Sequence, residues 1–107
     1  MPLIRVDFDD EKVNKQDVFA LAEGIQKIVS EATGIEDVFV YANASQIKIK
    51  ISPVEIFIEM SAQKIVDQDK LILDIKSRLS NWKEMNKFQW PINLTLIPMQ
   101  WKIEIGI

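Results

Sequence analysis

The sequence predicts an α/β (α+β) fold in which two tandem βαβ units form one four-stranded mixed sheet with two helices on one face. Segments with alternating apolar residues flank segments whose apolar residues recur at three- and four-residue spacing, so the order strand, helix, strand occurs twice. The two copies also correspond at a nearly constant offset, because Pro2 and Pro53 each open a strand and Asn14 and Asp67 each begin a helix. Residues 1–107 therefore suit a single compact domain.

The first unit covers residues 2–51. It opens with a strand over residues 2–8, where apolar and charged side chains alternate, and continues with an amphipathic helix from Asn14 to Thr33. The next segment, DVFVYANA, is apolar in both registers, which is typical of a strand buried on both sides. QIKIKI then alternates strictly, and it is predicted either as a separate edge or interface strand or as the same strand continued past a bend.

The second unit covers residues 53–97. Its opening segment PVEIFIEM alternates like a strand, and the helix that follows begins near Asp67, whose carboxylate suits the positive end of a helix dipole. INLTLIP supplies the next strand. Beyond Pro98, the terminal segment WKIEIGI at residues 101–107 again alternates, which predicts either a terminal hairpin or a strand that leaves its own sheet.

The predicted architecture leaves one face of the sheet uncovered, since two helices can cover only the other face. The apolar segment DVFVYANA would then contribute to an exposed apolar patch in a monomer. We therefore expect the chain to associate with copies of itself.

The composition excludes several kinds of function. The chain has no cysteine and no histidine, which argues against disulfides, thiolate nucleophiles, imidazole bases and ordinary zinc, copper or iron sites. A net charge of −3 provides no basic face for nucleic acid. No apolar run approaches the roughly 20 residues that span a bilayer, and the N-terminus lacks the pattern of a signal peptide. We expect a soluble cytoplasmic protein with no nucleic-acid or membrane partner.

Several short motifs follow one another along almost the whole chain. An initial Met-Pro is followed by Arg5, by SEATG at the end of the first helix, by VEIFIEMSAQKI, and by Ile97-Pro98-Met99-Gln100 within LTLIPMQ. In their order and spacing these motifs resemble the tautomerase superfamily, whose members include oxalocrotonate tautomerase and macrophage migration inhibitory factor. The resemblance is greatest to a branch with two βαβ units per chain, and it implies a tautomerase-like fold and a homotrimer.

The resemblance also implies that Met1 is removed and that the freed nitrogen of Pro2 is the catalytic group. It would move a proton between carbon and oxygen of a small 2-oxo or enol acid, as a tautomerase or isomerase without cofactor or metal. This role is chemically reasonable, because an α-amino group has a pKa of about 8 and burial among apolar groups lowers that pKa. In a chain without His or Cys, this amine is the most credible proton carrier.

Four further residues are predicted to bind a carboxylate-bearing substrate. Arg5 can hold a carboxylate through two parallel hydrogen bonds, and Lys48 can supply a second cation. Gln100 belongs to the late motif, and Trp101 is predicted to form a wall of the pocket.

The chain departs from the better-known members of the superfamily at two places. The lysine that follows the first helix in the migration-inhibitory-factor pattern falls on Gly34-Ile35, so that cation is absent here. The tyrosine and asparagine that the late strand lends to a neighbouring subunit's pocket fall approximately on Asn93 and Thr95.

Alternatives remain for both key residues. Proline is common at the first position of a strand, and Pro53 occupies that place in the second unit without being a terminal amine. If Met1 stays, the nitrogen of Pro2 is an amide and cannot act as a base. Arg5 can instead be an interface charge paired with a neighbour's glutamate. The alternative function is a non-catalytic oligomeric module that binds a ligand or partner, either an inactive tautomerase relative or a ferredoxin-like domain.

Overall fold

The computed structural model describes all the residues of the chain, Met1–Ile107. Its elements follow the predicted order, with two helices, four strands and one short 3₁₀ turn. They are β1 (Leu3–Phe8), α1 (Lys15–Thr33), β2 (Phe39–Ala44), β3 (Val54–Ser61), the 3₁₀ turn (Ala62–Lys64), α2 (Gln68–Asn86) and β4 (Ile92–Met99).

The four strands form one mixed sheet in the order β2-β1-β3-β4. β1 pairs with β2 and β3 pairs with β4 in parallel, whereas β1 and β3 pair antiparallel. The two strands of each βαβ unit are therefore adjacent. In a ferredoxin-like split unit another strand separates them, so the alternative ferredoxin-like fold is wrong and the predicted fold class is confirmed.

Both helices pack on the same face of the sheet. Ile4 and Val6 of β1 and Ile56 and Ile58 of β3 are completely buried against them, while the residues between these positions point to the opposite face. The helices contribute the other half of this core, chiefly through Leu21, Ile25, Val29 and Ile75. The opposite face, which we call the open face, has no covering element within the chain.

The helices begin where the sequence predicts, directly after Asn14 and Asp67, and both of these side chains cap them. Asn14 accepts a hydrogen bond from the backbone N–H of Asp17 at 2.8 Å, and Asp67 accepts one from that of Lys70 at 3.1 Å. At the end of α1, Gly34 adopts φ of 72°, a left-handed conformation that glycine tolerates best.

QIKIKI forms no strand in the single chain, so the predictions of an edge strand and of a continued β2 are wrong. An interface strand requires a second chain and stays a prediction. The pairing of β1 with β2 ends at Phe8 and Ala44, so the chain beyond Ala44 has no neighbouring strand left to join. Ile47 and Ile49 are almost fully exposed as a result. The alternating pattern shows only that this segment can form a strand, and a strand also needs a partner.

β2 is an edge strand, and in the single chain it contributes the exposed apolar patch that the sequence predicts for a monomer. Burial of this strand on both sides requires a second chain and stays a prediction. α1 packs against its helix-covered side, whereas Phe39 and Tyr41 on the open face are 44% and 55% exposed. The large apolar side chains of this strand on the open face are thus exposed in the single chain.

WKIEIGI forms no strand either, so the predicted terminal hairpin is absent. β4 instead continues through Pro98 to Met99, which an edge strand permits because the missing N–H can face away from the ladder. Ile103 and Ile105 of the tail are exposed. The other form of the prediction, a strand that leaves its own sheet, requires a second chain and stays a prediction.

Neither helix combines the length and the apolar composition that crossing a bilayer requires.

Candidate active site

Four strand ends meet at the edge of the sheet that contains Pro2. β1 and β2 begin there, and β3 and β4 end there, because β3 runs antiparallel to β1 and parallel to β4. The helices reach the same edge, since α1 leads into β2 and α2 follows β3. We call this the Pro2 edge, and its strand residues are Pro2, Phe39, Ser61 and Met99 with their immediate neighbours.

Pro2 is completely buried at this edge. Its carbonyl accepts a hydrogen bond from the backbone N–H of Phe39 at 3.1 Å, which fixes the start of β1 against β2. Pro2 continues the alternation of Ile4 and Val6, so its ring lies on the helix-covered face. Met1 precedes it in the full chain, and the nitrogen becomes a basic amine only when Met1 is removed.

Gln100 and Trp101 lie at the same edge, because they follow Met99, whose partner on β3 is Ser61. Gln100 is exposed and Trp101 is half-buried. The structure therefore brings three of the five predicted site residues to one edge of the sheet.

Arg5 lies on the open face, opposite to the face that holds Pro2. Its Nε is 3.2 Å from Oδ2 of Asp7, its Nη1 is 3.6 Å from Oε1 of Glu59, and its guanidinium carbon lies 4.6 Å from the ring centroid of Phe57. Two carboxylates of its own chain thus compensate its charge. This arrangement resembles the interface-charge alternative, except that the glutamate belongs to the same chain.

Lys48 lies at the far edge of the sheet, about 20 Å from Pro2 by the length of β1. Its Nζ is 3.1 Å from Oδ1 of Asp9 and also contacts the carboxylate of Asp10. The hydrogen bond to Asp10 is the main cause that raises the pKa of Lys48, and the hydrogen bond from Lys48 is the main cause that lowers the pKa of Asp9. Lys48 therefore holds the segment after β2 to the turn after β1, and it does not reach the Pro2 edge of its own chain.

The Pro2 edge also has a cavity that sequence reasoning missed. It lies between the end of α1 and the segment that connects β3 to α2, and its volume is about 530 Å³. Lys64 and Lys70 line it. Lys64 belongs to the motif VEIFIEMSAQKI, and no motif includes Lys70. The two lysines become neighbours of the first helix only through the packing of α1 against α2. No group of three or more acidic side chains in the chain converges to hold a metal ion.

Comparison with known proteins shows a shared fold. No protein-family model matches the chain, and no curated protein matches it in sequence. Solved structures nevertheless superpose on nearly its whole length. A malonate semialdehyde decarboxylase matches with a TM-score of 0.71 at 10% identity, covering 98% of this chain and 92% of that one.

Two further structures give the same result. A macrophage migration inhibitory factor-like protein from Entamoeba histolytica matches with a TM-score of 0.65 at 16% identity, covering 96% of this chain and 95% of that one. The F6 fused 4-OT, an asymmetric trimer, matches with a TM-score of 0.65 at 14% identity, covering 94% and 91%. The chain is thus an α+β protein of tandem βαβ units. Its fold is the one that these solved structures share, and it is the fold that the sequence resemblance predicted.

Proposed function

We propose that this protein is a cofactor-independent tautomerase or isomerase that uses Pro2, after removal of Met1, as its acid and base. The proposed substrate is a small 2-oxo or enol acid. The observation that carries the proposal is the position of Pro2, completely buried at the edge where four strand ends, both helices, Gln100 and Trp101 meet. The tautomerase-superfamily fold supports it.

The proposed chemistry needs one group that can both accept and donate a proton. The nitrogen of Pro2, once free, would be a secondary amine whose charged form burial disfavours, so its pKa would fall below the ordinary α-amino value. As free base it takes the hydroxyl proton of the enol, and as ammonium it delivers that proton to the neighbouring carbon. The product is the keto acid, and the amine returns to its starting state.

Gln100 and Trp101 have supporting roles in this proposal. The side-chain amide of Gln100 can donate a hydrogen bond to the oxygen on which charge develops. Trp101 is half-buried and gives the pocket an apolar wall that keeps water from the reacting amine.

We further propose a homotrimer. The exposed Phe39 and Tyr41 of the open face, together with the unpaired segments 46–51 and 101–107, provide surface that copies of the chain can cover. The F6 fused 4-OT, with a similar fold, is a trimer. The proposed setting is the cytoplasm, in keeping with a chain that has no cysteine to form disulfides.

The direct test is a comparison of protein lacking Met1 with its Pro2→Ala variant. The first is expected to ketonise an enol acid such as phenylenolpyruvate, and Pro2→Ala is expected to lose at least about a hundredfold in rate, the usual contribution of a positioned acid–base group. Pro53→Ala is the matched control and is expected to keep its activity. Equal rates for wild type and Pro2→Ala would contradict the proposal.

The alternative is an oligomeric module without catalysis. It is favoured by the pairing of Arg5 with Asp7 and Glu59, which leaves no free guanidinium for a substrate on that face. The same experiment separates the two functions, because a binding module has no proton-transfer activity for Pro2→Ala to remove.

A further inference from the structure

The outer surface of α1 carries one large apolar side chain that does not pack in the core. Phe19 is 67% exposed, whereas Leu21 and Ile25 of the same helix are completely buried. A single exposed apolar residue is ordinary on a protein surface. Phe19 differs from that case because more apolar surface adjoins it.

Phe19 borders a groove that lies between α1 and β2, on the helix-covered side of the sheet. Val18 and Ala22 line the groove from the helix, and Val40 and Ala42 line it from the strand. Its volume of about 510 Å³ has room for an aromatic side chain. The ring and the groove together form the kind of contiguous apolar patch that marks an interaction surface.

Charged residues flank Phe19 on the same face of α1. Lys15 precedes it by four residues and Glu23 follows it by four, so the three side chains form one ridge of the helix. Lys15 and Glu23 are exposed, and neither takes part in an ion pair of the chain. Gln16 and Ala22, three residues to either side of Phe19, are uncharged. We call Lys15, Phe19 and Glu23 the α1 ridge, which is positive at one end, apolar at its centre and negative at the other end.

This order of charges is complementary to its own reverse. If two copies of α1 cross antiparallel about a twofold axis at Phe19, Lys15 of each copy faces Glu23 of the other. Ridges of residues four apart interdigitate in the commonest class of helix packing. The charge pattern therefore favours a second copy of this chain over a partner with a single sign of charge.

We propose that the α1 ridge and the groove beside it form a symmetric contact between two copies of this chain. Each Phe19 enters the groove of the other copy, and two Lys15–Glu23 ion pairs fix the antiparallel orientation. The contact lies on the helix-covered side of the sheet, so it goes beyond the proposed function and needs neither Pro2 nor the open face. Interfaces below about 1,200 Å² are typically weak, and one ridge per copy belongs to this class. The contact therefore forms as the protein is concentrated, and it pairs whatever assembly is present in dilute solution.

The test is sedimentation equilibrium over a concentration series, in which the wild type is expected to reach twice its dilute-solution mass. Lys15→Glu and Glu23→Lys each turn both ion pairs into like-charge contacts, so each variant alone is expected to pair at least about tenfold more weakly. Phe19→Ala is expected to weaken pairing by a similar factor, because it removes the central apolar anchor. Lys76→Glu, at an exposed lysine of α2 that forms no ion pair, is the matched charge-reversal control and is expected to pair like the wild type.

An equimolar mixture of Lys15→Glu and Glu23→Lys tests the symmetry of the contact. The ridge of the first variant carries only negative charge and that of the second only positive charge, so the mixture is expected to regain the doubled mass. Such recovery also shows that both variants are folded. The inference is overturned by a wild-type mass that stays constant with concentration, by a mixture that does not recover, or by loss of pairing in Lys76→Glu. None of these outcomes bears on proton transfer by Pro2, which the ketonisation assay tests separately.

Discussion

Among single residues, Gly24 sets how closely the two helices approach. It lies in the middle of α1, where alanine would ordinarily be more favourable by about 1 kcal/mol. The indole of Trp82 from α2 lies directly over it, and a Cβ at position 24 would come within 2.7 Å of Cε2 of the ring. Trp82 also packs against Phe88, with the ring centroids 5.8 Å apart, so the indole has little freedom to move away.

We expect Gly24→Ala to lower the free energy of unfolding by about 1–3 kcal/mol, since overpacking outweighs the gain in helix propensity. Urea denaturation measures the change. The same substitution in a Trp82→Phe background is expected to cost less, because the smaller ring leaves room for the methyl group. A stabilising effect of Gly24→Ala in the wild-type background would contradict the observed contact.

Of the two ion pairs that Arg5 forms, only one could be predicted from the sequence. Its pairing with Asp7 is accessible from sequence, since residues two apart on a strand share a face. Its contact with Glu59 depends on the antiparallel register of β1 with β3, which the alternation pattern does not supply. The register of β1 with β3 therefore decides between the two interpretations of Arg5. The position of Lys64 and Lys70 likewise depends on tertiary packing, which the sequence pattern does not supply.

At the scale of elements, the two helices and the four strands of the sheet can be predicted from the periodicity of apolar residues and from the helix-starting residues. The same periodicity does not show that the two other alternating segments form no strand. Segments 46–51 and 101–107 have the pattern of strands, but β1 ends at Phe8 and β3 ends its pairing at Ser61. Periodicity reports which face a strand would bury. It does not report whether a neighbouring strand exists to supply the hydrogen bonds.

The segment after β2 is instead attached through Lys48, and we expect this attachment to depend on pH. The pKa of Asp9 is lowered below its ordinary 3.8, chiefly by the hydrogen bond from Lys48. A carboxyl with a lowered pKa contributes stability above its ordinary pKa and loses that contribution as the pH falls through the folded-state value. The pKa of Lys48 is raised above its ordinary 10.5. Its ammonium group therefore stays charged, and the contact stays intact, up to at least that pH.

Lys48→Gln is accordingly expected to be less stable than the wild type at neutral pH, with a difference that shrinks at about pH 2. Urea denaturation at the two pH values measures it. Lys50→Gln is the matched control, because Lys50 is exposed in the same segment and forms no ion pair. A difference between Lys48→Gln and wild type that is the same at both pH values would contradict the role of this contact.

At the scale of the whole molecule, the sequence predicts the open face of the sheet from the number of its elements. Two helices can cover only one face of a four-stranded sheet. Phe39 and Tyr41 are exposed on this face. Ile103 and Ile105 of the C-terminal tail are also exposed.

We expect light scattering to give three times the chain mass of 12.4 kDa. Removal of residues 102–107 is expected to shift this value towards the monomer without loss of helical circular dichroism, since the tail makes no strand within its own chain. Leu73→Ser, at an exposed apolar residue of α2 on the opposite side of the molecule, is the control that should stay trimeric. A monomeric or dimeric wild type would contradict the proposed assembly.

The central claim is that the nitrogen of Pro2 is a free amine that carries the proton. NMR titration of protein with ¹⁵N-labelled proline, produced with Met1 removed, tests it most directly. The remaining prolines, Pro53, Pro91 and Pro98, are amides and serve as internal references. We predict that the Pro2 nitrogen titrates with a pKa below the ordinary α-amino value of about 8. A Pro2 nitrogen that titrates at or above that value, or that remains an amide in the protein isolated from its native host, would contradict the account.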